Sequence, residues 1–265
     1  MTETAPVLSW LDLVAAGGLL LLAGAVSLVL RLGLEKRLLV AALRTVVQLL
    51  AVGYVLRFVF TGEKALVVAA MAAVMVTAAG HAAVQRAGRT FAGVHAMAFV
   101  ALVASAGATI WLVTNVVICA EPWWRPRLMI PLLGMILGNG LTGISLCLDT
   151  LLERLDERRA AVEADLACGA TRWEAAREPL RDAVRKGMIP IVNAMTVAGL
   201  VSLPGMMTGQ ILAGAEPLQA VRYQIVVMFM IAAATSLGAI MVALLVYRRL
   251  FNERHQLRRE IVRRR

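Results

Sequence analysis

The chain has 265 residues, 60% of them hydrophobic, with a mean hydropathy of +0.77 and a formal net charge of +10. Such a composition excludes an ordinary soluble domain, and the basic residues cluster beside apolar runs, where positive-inside topology accounts for them and nucleic-acid binding is not needed. Cys119, Cys147 and Cys168 stand in unlike contexts without a CxxC pair, so neither a zinc site nor a disulfide framework organises the chain.

A helix needs about 20 apolar residues to cross a hydrocarbon core. Seven stretches qualify, at 8-30, 38-60, 64-82, 93-118, 128-150, 187-213 and 219-247. The opening MTETAPVLSW has no basic n-region and no small-residue cleavage site, so the first stretch reads as a retained span. Arg31, Lys36, Arg37, Arg86, Arg89, the residues of 151-186 and those of 248-265 fall in alternate loops on one side, against Lys64, Arg125 and Arg127 on the other, with Arg57 and Arg222 near the ends of spans. The expected fold is all-α: one transmembrane domain over 1-265, N-terminus outside, with a polar loop 151-186 between spans five and six and a basic tail 248-265, both cytoplasmic.

In the second span Arg44 and Gln48 lie one turn apart on one face. An arginine inside lipid must pair or snorkel, and Arg44 is near enough to the inner boundary for either, so a gating or structural role and snorkelling stand level. His81, His95 and His255 fall at separate helix ends and in the tail and make no ligand set. In span five, Gly134, Gly138, Gly140 and Gly143 form a small-residue run suited to close helix approach, with a dimer interface as the natural hypothesis. Asn139 is a polar candidate in that run. Asp149 with Glu153 one turn on reads as a cation-capture pair or, more simply, as helix-end charge.

The polar loop carries the most specific signal. It holds eight acidic and eight basic side chains between apolar spans. Leu151, Leu152, Leu155, Val162 and Leu166 recur at mostly helical spacing, Gly169 supplies a helix stop, and Thr171 with Glu174 has capping-box spacing for a second helix. Pro179 marks an expected bend in that helix. Residues 163 to 169, EADLACG, match the EAA-xxx-G pattern of ABC-transporter permease subunits with Asp165 in place of alanine, and Gly169, Ala170, Thr171, Arg172 and Trp173 continue it. The apolar-x-Leu-Pro that usually follows is absent; Arg181 and Asp182 stand there instead. The resemblance implies a coupling helix, formed by Glu163, Ala164, Asp165, Gly169, Ala170, Thr171, Arg172 and Trp173, that docks on a cytoplasmic ATPase. No GxxxxGK[ST] phosphate loop occurs in this chain, so ATP and its magnesium would belong to that separate subunit.

In the sixth span SLPGMMTGQILAG places a Pro-Gly break at Pro204, about 25 Å beyond Gly187 at helical rise. Freed carbonyls there should face protein or a water-filled cavity. Met206 and Met207 offer thioether sulfur to a soft metal or, more simply, adaptable packing. Thr208 and Gln210 read as hydrogen-bonding pathway residues or as helix-to-helix glue, and Asn193 joins them as a polar candidate.

This segment, with IPIVNAM from Ile189, QAVRYQI from Gln219 and RTVVQL from Arg44, resembles the Fet-type iron-export permease family, which includes plant aluminium-tolerance membrane proteins. The likeness covers essentially the whole chain. It implies a permease subunit of the bacterial inner membrane, without enzymatic activity of its own, forming a homodimer with a separate ATP-binding subunit and exporting iron or another metal. A nucleotide sugar or other small solute is the alternative substrate. A stand-alone ion-coupled carrier is the alternative class, weakened by the lack of acidic residues well inside the spans, since Asp12, Glu63 and Glu121 lie at or near span ends.

Overall fold

The computed structural model describes residues 9–62, 64–85, 89–91, 93–252, 256 and 263–264. Its helices are α1 Trp10–Val29, α2 Glu35–Gly62, α3 Ala65–Gln85, α4 Val94–Leu112, α5 Pro126–Glu157, α6 Arg159–Ala167, α7 Arg172–Val197, α8 Gly205–Leu212 and α9 Pro217–Leu250. A π-helical turn, Val113–Val117, extends α4. Arg89–Thr90 (β1) pairs antiparallel with Arg263–Arg264 (β2) from the basic tail. His255 lies outside the described residues.

Six helical segments are long and apolar enough to cross a membrane: Leu11–Val29, Glu35–Gly62, Ala65–Ala83, Val94–Val117, Pro126–Glu157 and Pro217–Leu250. These correspond to six of the seven expected spans. The stretch 187-213, expected as one span, is instead divided. α7 stops at Val197, and the amides of Leu200, Val201 and Ser202 all donate to the Val197 carbonyl, at 3.3, 3.0 and 3.3 Å. Gly199 permits this turn because its φ of +83° lies in the left-handed region. The break is therefore at residues 198–204. Pro204 is the N-cap of α8, where its missing N–H is harmless, so the Pro-Gly pair read as a break in the span ends that break and starts a helix.

α5, α7 and α9 form a mutually packed triad, with α4 against α5 and α9, and α3 against α4 and α5. The stripe that α7 buries, Ala175, Ala176, Pro179, Leu180, Ala183, Gly187 and Ile191, repeats every three or four residues. Pro179 sits inside this stripe without ending the helix, so α7 runs unbroken from the polar loop into the apolar region. The α1–α2 pair lies at the periphery: in α2 only Val59 is buried, packed with Val68 and Ile130. Leu56 and Phe60 are half-buried against that cluster, and most of the other apolar side chains of α2 are exposed, as suits a lipid-facing helix.

Small residues set the distances inside the triad. A Cβ placed on Gly187 would stand 2.7 Å from the Gly143 carbonyl oxygen and 3.1 Å from the Cys147 Cβ. One placed on Gly143 would meet the Thr235 Cγ2 at 2.5 Å. Gly143 thus serves helix crossing within the chain. Gly140 does likewise against Leu102 of α4, whereas Gly138 has open space beside it.

Candidate functional site

The polar loop folds as a capped elbow. α5 extends to Glu157, Arg158 breaks the geometry at φ −95° and ψ 17°, and α6 follows. α6 ends in a Schellman motif: the Gly169 amide donates to the Leu166 carbonyl at 3.2 Å and that of Ala170 to Asp165 at 3.0 Å, with Gly169 at φ +94°. Thr171 then caps α7 in the expected reciprocal box. Its hydroxyl accepts from the Glu174 amide at 3.3 Å, and Glu174 accepts from the Thr171 amide at 2.8 Å. Those bonds from Thr171 hold the Glu174 carboxyl below its ordinary range.

Two kinds of interaction hold the elbow to the bundle, and magnitude separates them. Arg154 approaches Asp182 at 3.9 Å, and Arg158 pairs with Glu178, joining α5 to α7. These side chains are 38 to 66% exposed, and such pairs contribute about 0–1 kcal/mol. Beneath them Leu155, Val162, Ala176 and Leu180 are buried in one core. Burying each large aliphatic side chain from water contributes about 1.5–3 kcal/mol, so apolar packing dominates. Trp173 adds an edge-on contact to Tyr247 near the end of α9, with ring centroids 5.6 Å apart, and an Arg172 Nη1–H donates to the Asn252 carbonyl at 3.4 Å. Glu163, Ala164, Asp165, Gly169 and Thr171 stay exposed, Trp173 half so. The elbow thus presents one outward surface and is braced against both α5 and α9.

From the elbow, α7 passes the Gly143–Gly187 crossing and reaches the break at 198–204. Beyond it α8 folds back against α9 through a second Schellman turn at Gly214, and Glu216 caps α9 by accepting from the Leu218 and Gln219 amides at 2.9 and 2.7 Å. Met206, Met207, Thr208 and Gln210 are all partly buried on α8. Met206 packs against the main core, and the Thr208 hydroxyl donates to the Pro204 carbonyl at 3.2 Å. The Gln210 Oε1 is enclosed and has no hydrogen-bond partner among the described residues.

The other expected pathway residues do not gather there. Asn139 is half-buried and its amide donates to the Met135 carbonyl of its own helix at 2.9 Å. Asp149 is half-buried at the inner part of α5, and Asn193 is exposed on α7. Arg44 and Gln48 point away from the protein on α2. His81 and His95, expected apart, stack with centroids 6.4 Å apart. Among the described residues, no three His, Cys, Asp or Glu side chains come together as a metal-holding group. Three further buried polar groups carry no signal of function in the sequence: Thr109 Oγ1, Gln224 Oε1 and Thr235 Oγ1, each without a hydrogen-bond partner among the described residues. A hydroxyl or amide in an apolar run marks their polarity alone.

Six apolar helices, a helical segment broken at 198–204 and a capped polar elbow at one end define a polytopic helical membrane protein. The chain belongs to the family described as Uncharacterised protein family (UPF0014), which matches residues 10–251. It is similar to the "UPF0014 membrane protein slr1647" of Synechocystis, 38% identical over 94% of this chain and 96% of that one. It is similar to the "Probable iron export permease protein FetB" of Escherichia coli, 36% identical over 86% of each chain. It also matches "Protein ALUMINUM SENSITIVE 3" of Arabidopsis thaliana, 33% identical over 93% of this chain and 89% of that one. The family resemblance read from the RTVVQL, EADLACG and SLPGMMTGQILAG elements is thereby established. No solved structure matches this chain.

Proposed function

We propose that the protein is the membrane permease subunit of an ABC transporter, exporting iron or another metal with ATP hydrolysed on a separate subunit. The carrying observation is that α7 is one uninterrupted helix from its cap at Thr171, in the exposed elbow, to the break at Val197. At helical rise the Gly187 crossing lies about 23 Å from the capped end and about 15 Å from the break. A stiff helix pivoting there converts a displacement of the elbow into a smaller opposite displacement of the 198–204 segment. The exposed Glu163–Trp173 surface is then the docking face for the ATPase, and ATP with magnesium acts on that separate subunit. The iron assignment rests on the likeness to the Escherichia coli relative, a probable iron export permease.

The permease works as a homodimer in the bacterial inner membrane, with its N-terminus outside and its tail in the cytoplasm. Support comes from the break. Leu200 and Val201 are 89% and 84% exposed in the single chain, on irregular backbone that starts about 16 Å past the Gly187 crossing. Lipid cannot satisfy such backbone, so a second copy and a water-filled pathway between the copies cover it. α7 and α8 together make the seventh crossing.

The test is transport in inside-out vesicles holding this chain and its ATPase, comparing iron with a nucleotide sugar. ATP-dependent iron accumulation supports the reading. Accumulation of the sugar alone shifts the substrate, and transport without any ATPase overturns the class.

A further inference from the structure

We propose that the cleft between the π-helical turn and the first turns of α9 is a binding site for a phosphate-bearing anion, held by Arg222. The cleft has a volume of about 230 Å³ and is lined by Val117, Ile118, Gln219, Arg222, Tyr223 and Val226. It lies at the end of the bundle away from the elbow and goes beyond the transport reading, on which it does not depend.

The sequence builds this cleft from two sides. Gln219, Arg222, Tyr223 and Val226 occupy i, i+3, i+4 and i+7 on α9, a single helix face. The opposite wall forms where the α4 extension widens: the Ile118 amide donates to the Val113 carbonyl, a five-residue step that rotates Val117 and Ile118 out of α-helical register. Cys119, at φ +51°, then turns the chain away.

The lining chemistry selects an anion. Arg222 contributes five N–H donors, Gln219 an amide and Tyr223 a hydroxyl, and these side chains have no hydrogen bond or ion pair among the described residues. No carboxylate lines the cleft. Glu216, one turn earlier, is engaged with the Leu218 and Gln219 amides, so it caps the helix and leaves Arg222 uncompensated. A bare metal cation would meet net repulsion here. Phosphate presents several acceptors to a guanidinium fork and to neighbouring donors, and the exposed Arg222 and Gln219 at the mouth of this open cleft are reachable from outside, with half-buried Ile118 and Val226 forming its apolar wall. The volume is below that of drug-sized pockets and suits one phosphoryl group with a small substituent. Arg222 stands about 8 Å along α9 from Pro217, so the phosphate belongs either to a lipid headgroup or to a small phosphorylated solute.

The full chain in phosphatidylcholine nanodiscs distinguishes these sources. Isothermal titration with glycerol 3-phosphate reads the solute, and native mass spectrometry after detergent transfer reads retained phospholipid. Saturable glycerol 3-phosphate binding assigns a solute site, and selective lipid retention a headgroup site. In either case Arg222→Gln is expected to weaken binding at least about tenfold, as loss of charge-assisted hydrogen bonds does, while Arg222→Lys keeps part of it. Val226→Phe, which fills the cleft with the guanidinium intact, is expected to have the same effect, and it answers the question if Arg222→Gln fails to fold. Binding in both variants equal to that of the natural chain, or no binding of either probe to that chain, overturns the proposal.

Discussion

Gly187 on α7 faces Gly143 on α5 so closely that a Cβ on Gly187 would lie 2.7 Å from the Gly143 carbonyl oxygen. The obstructing atom is backbone, which no rotamer change can move aside. α7 continues as helix on both sides of this point, with Pro190 three residues beyond it, so on the proposed lever reading the crossing is the pivot. Gly187→Ala is therefore expected to force the α5 and α7 backbones apart, at an overpacking cost of about 1–3 kcal/mol. A thermal unfolding scan should show a lower Tm, and ATPase stimulation by the permease should fall. Gly138→Ala, in the same glycine run but beside open space, should leave both near their starting values.

Trp173 is half exposed yet makes an edge-on contact with Tyr247. One side of its ring braces α7 against α9 and the other remains available to a partner. Trp173→Ala removes an aromatic pair worth about 0.5–1.5 kcal/mol beyond its area, so a small drop in Tm is expected. Loss of ATPase copurification should be much larger than that drop implies. Tyr247→Leu, which loses the brace and keeps the exposed ring, should lower Tm and retain copurification. Equal copurification in all three proteins would count against this docking face.

The cap of α7 carries a pH signature. The Thr171 amide and hydroxyl hold the Glu174 carboxyl below its ordinary value of 4.5 in the folded chain. A depressed folded value means that the ionised cap stabilises α7 above pH 4.5, and that this contribution is lost as the pH falls through the lower folded value. Glu174→Gln should flatten the acid limb of a Tm-against-pH curve without lowering the neutral plateau as far as Thr171→Ala does. The latter removes the N-cap itself, at about 1 kcal/mol.

What could be read in the sequence was local. The Gly169 stop and the Thr171–Glu174 box follow from rules spanning a few residues, and both stand where those rules put them. The break before α8 is read at Pro204, its last residue, and its start after Val197 is hidden because Val197 to Leu203 has the composition of a membrane helix. A left-handed Gly199 and three amides sharing one carbonyl divide it, and hydropathy is blind to both. The Gly143–Gly187 contact joins residues far apart in the chain, so no spacing rule could pair them. Arg222 stood in plain view in QAVRYQI, but its cleft needs the π-helical turn more than a hundred residues earlier.

Buried acceptors without partners make a further test. Gln224 is 8% exposed on α9 and its Oε1 meets no donor among the described residues. Leaving such a group unsatisfied costs about 1–3 kcal/mol, so Gln224→Leu, similar in size and apolar, should raise Tm. An unchanged or lower Tm would mean that a donor reaches the amide in the membrane.

The exposed break yields the last prediction. Leu200 and Val201 project from backbone that departs from helix within the bilayer on the proposed topology, and this chain leaves them uncovered. Were that surface against lipid, its unpaired backbone groups would each cost several kcal/mol. A second copy meeting the first near these residues removes the cost. Leu200→Cys, placed in a chain whose exposed Cys119 and Cys168 are changed to serine and whose buried Cys147 is kept, should therefore give an oxidant-dependent cross-linked dimer in native membranes. Cysteines placed in turn at Val201 and Leu203 should cross-link with differing efficiency as the two surfaces meet and part. Addition of the ATPase with a non-hydrolysable nucleotide should change that ranking if, as proposed, the elbow's displacement reaches this segment through α7. Monomer alone at all three positions would place the contact between copies elsewhere.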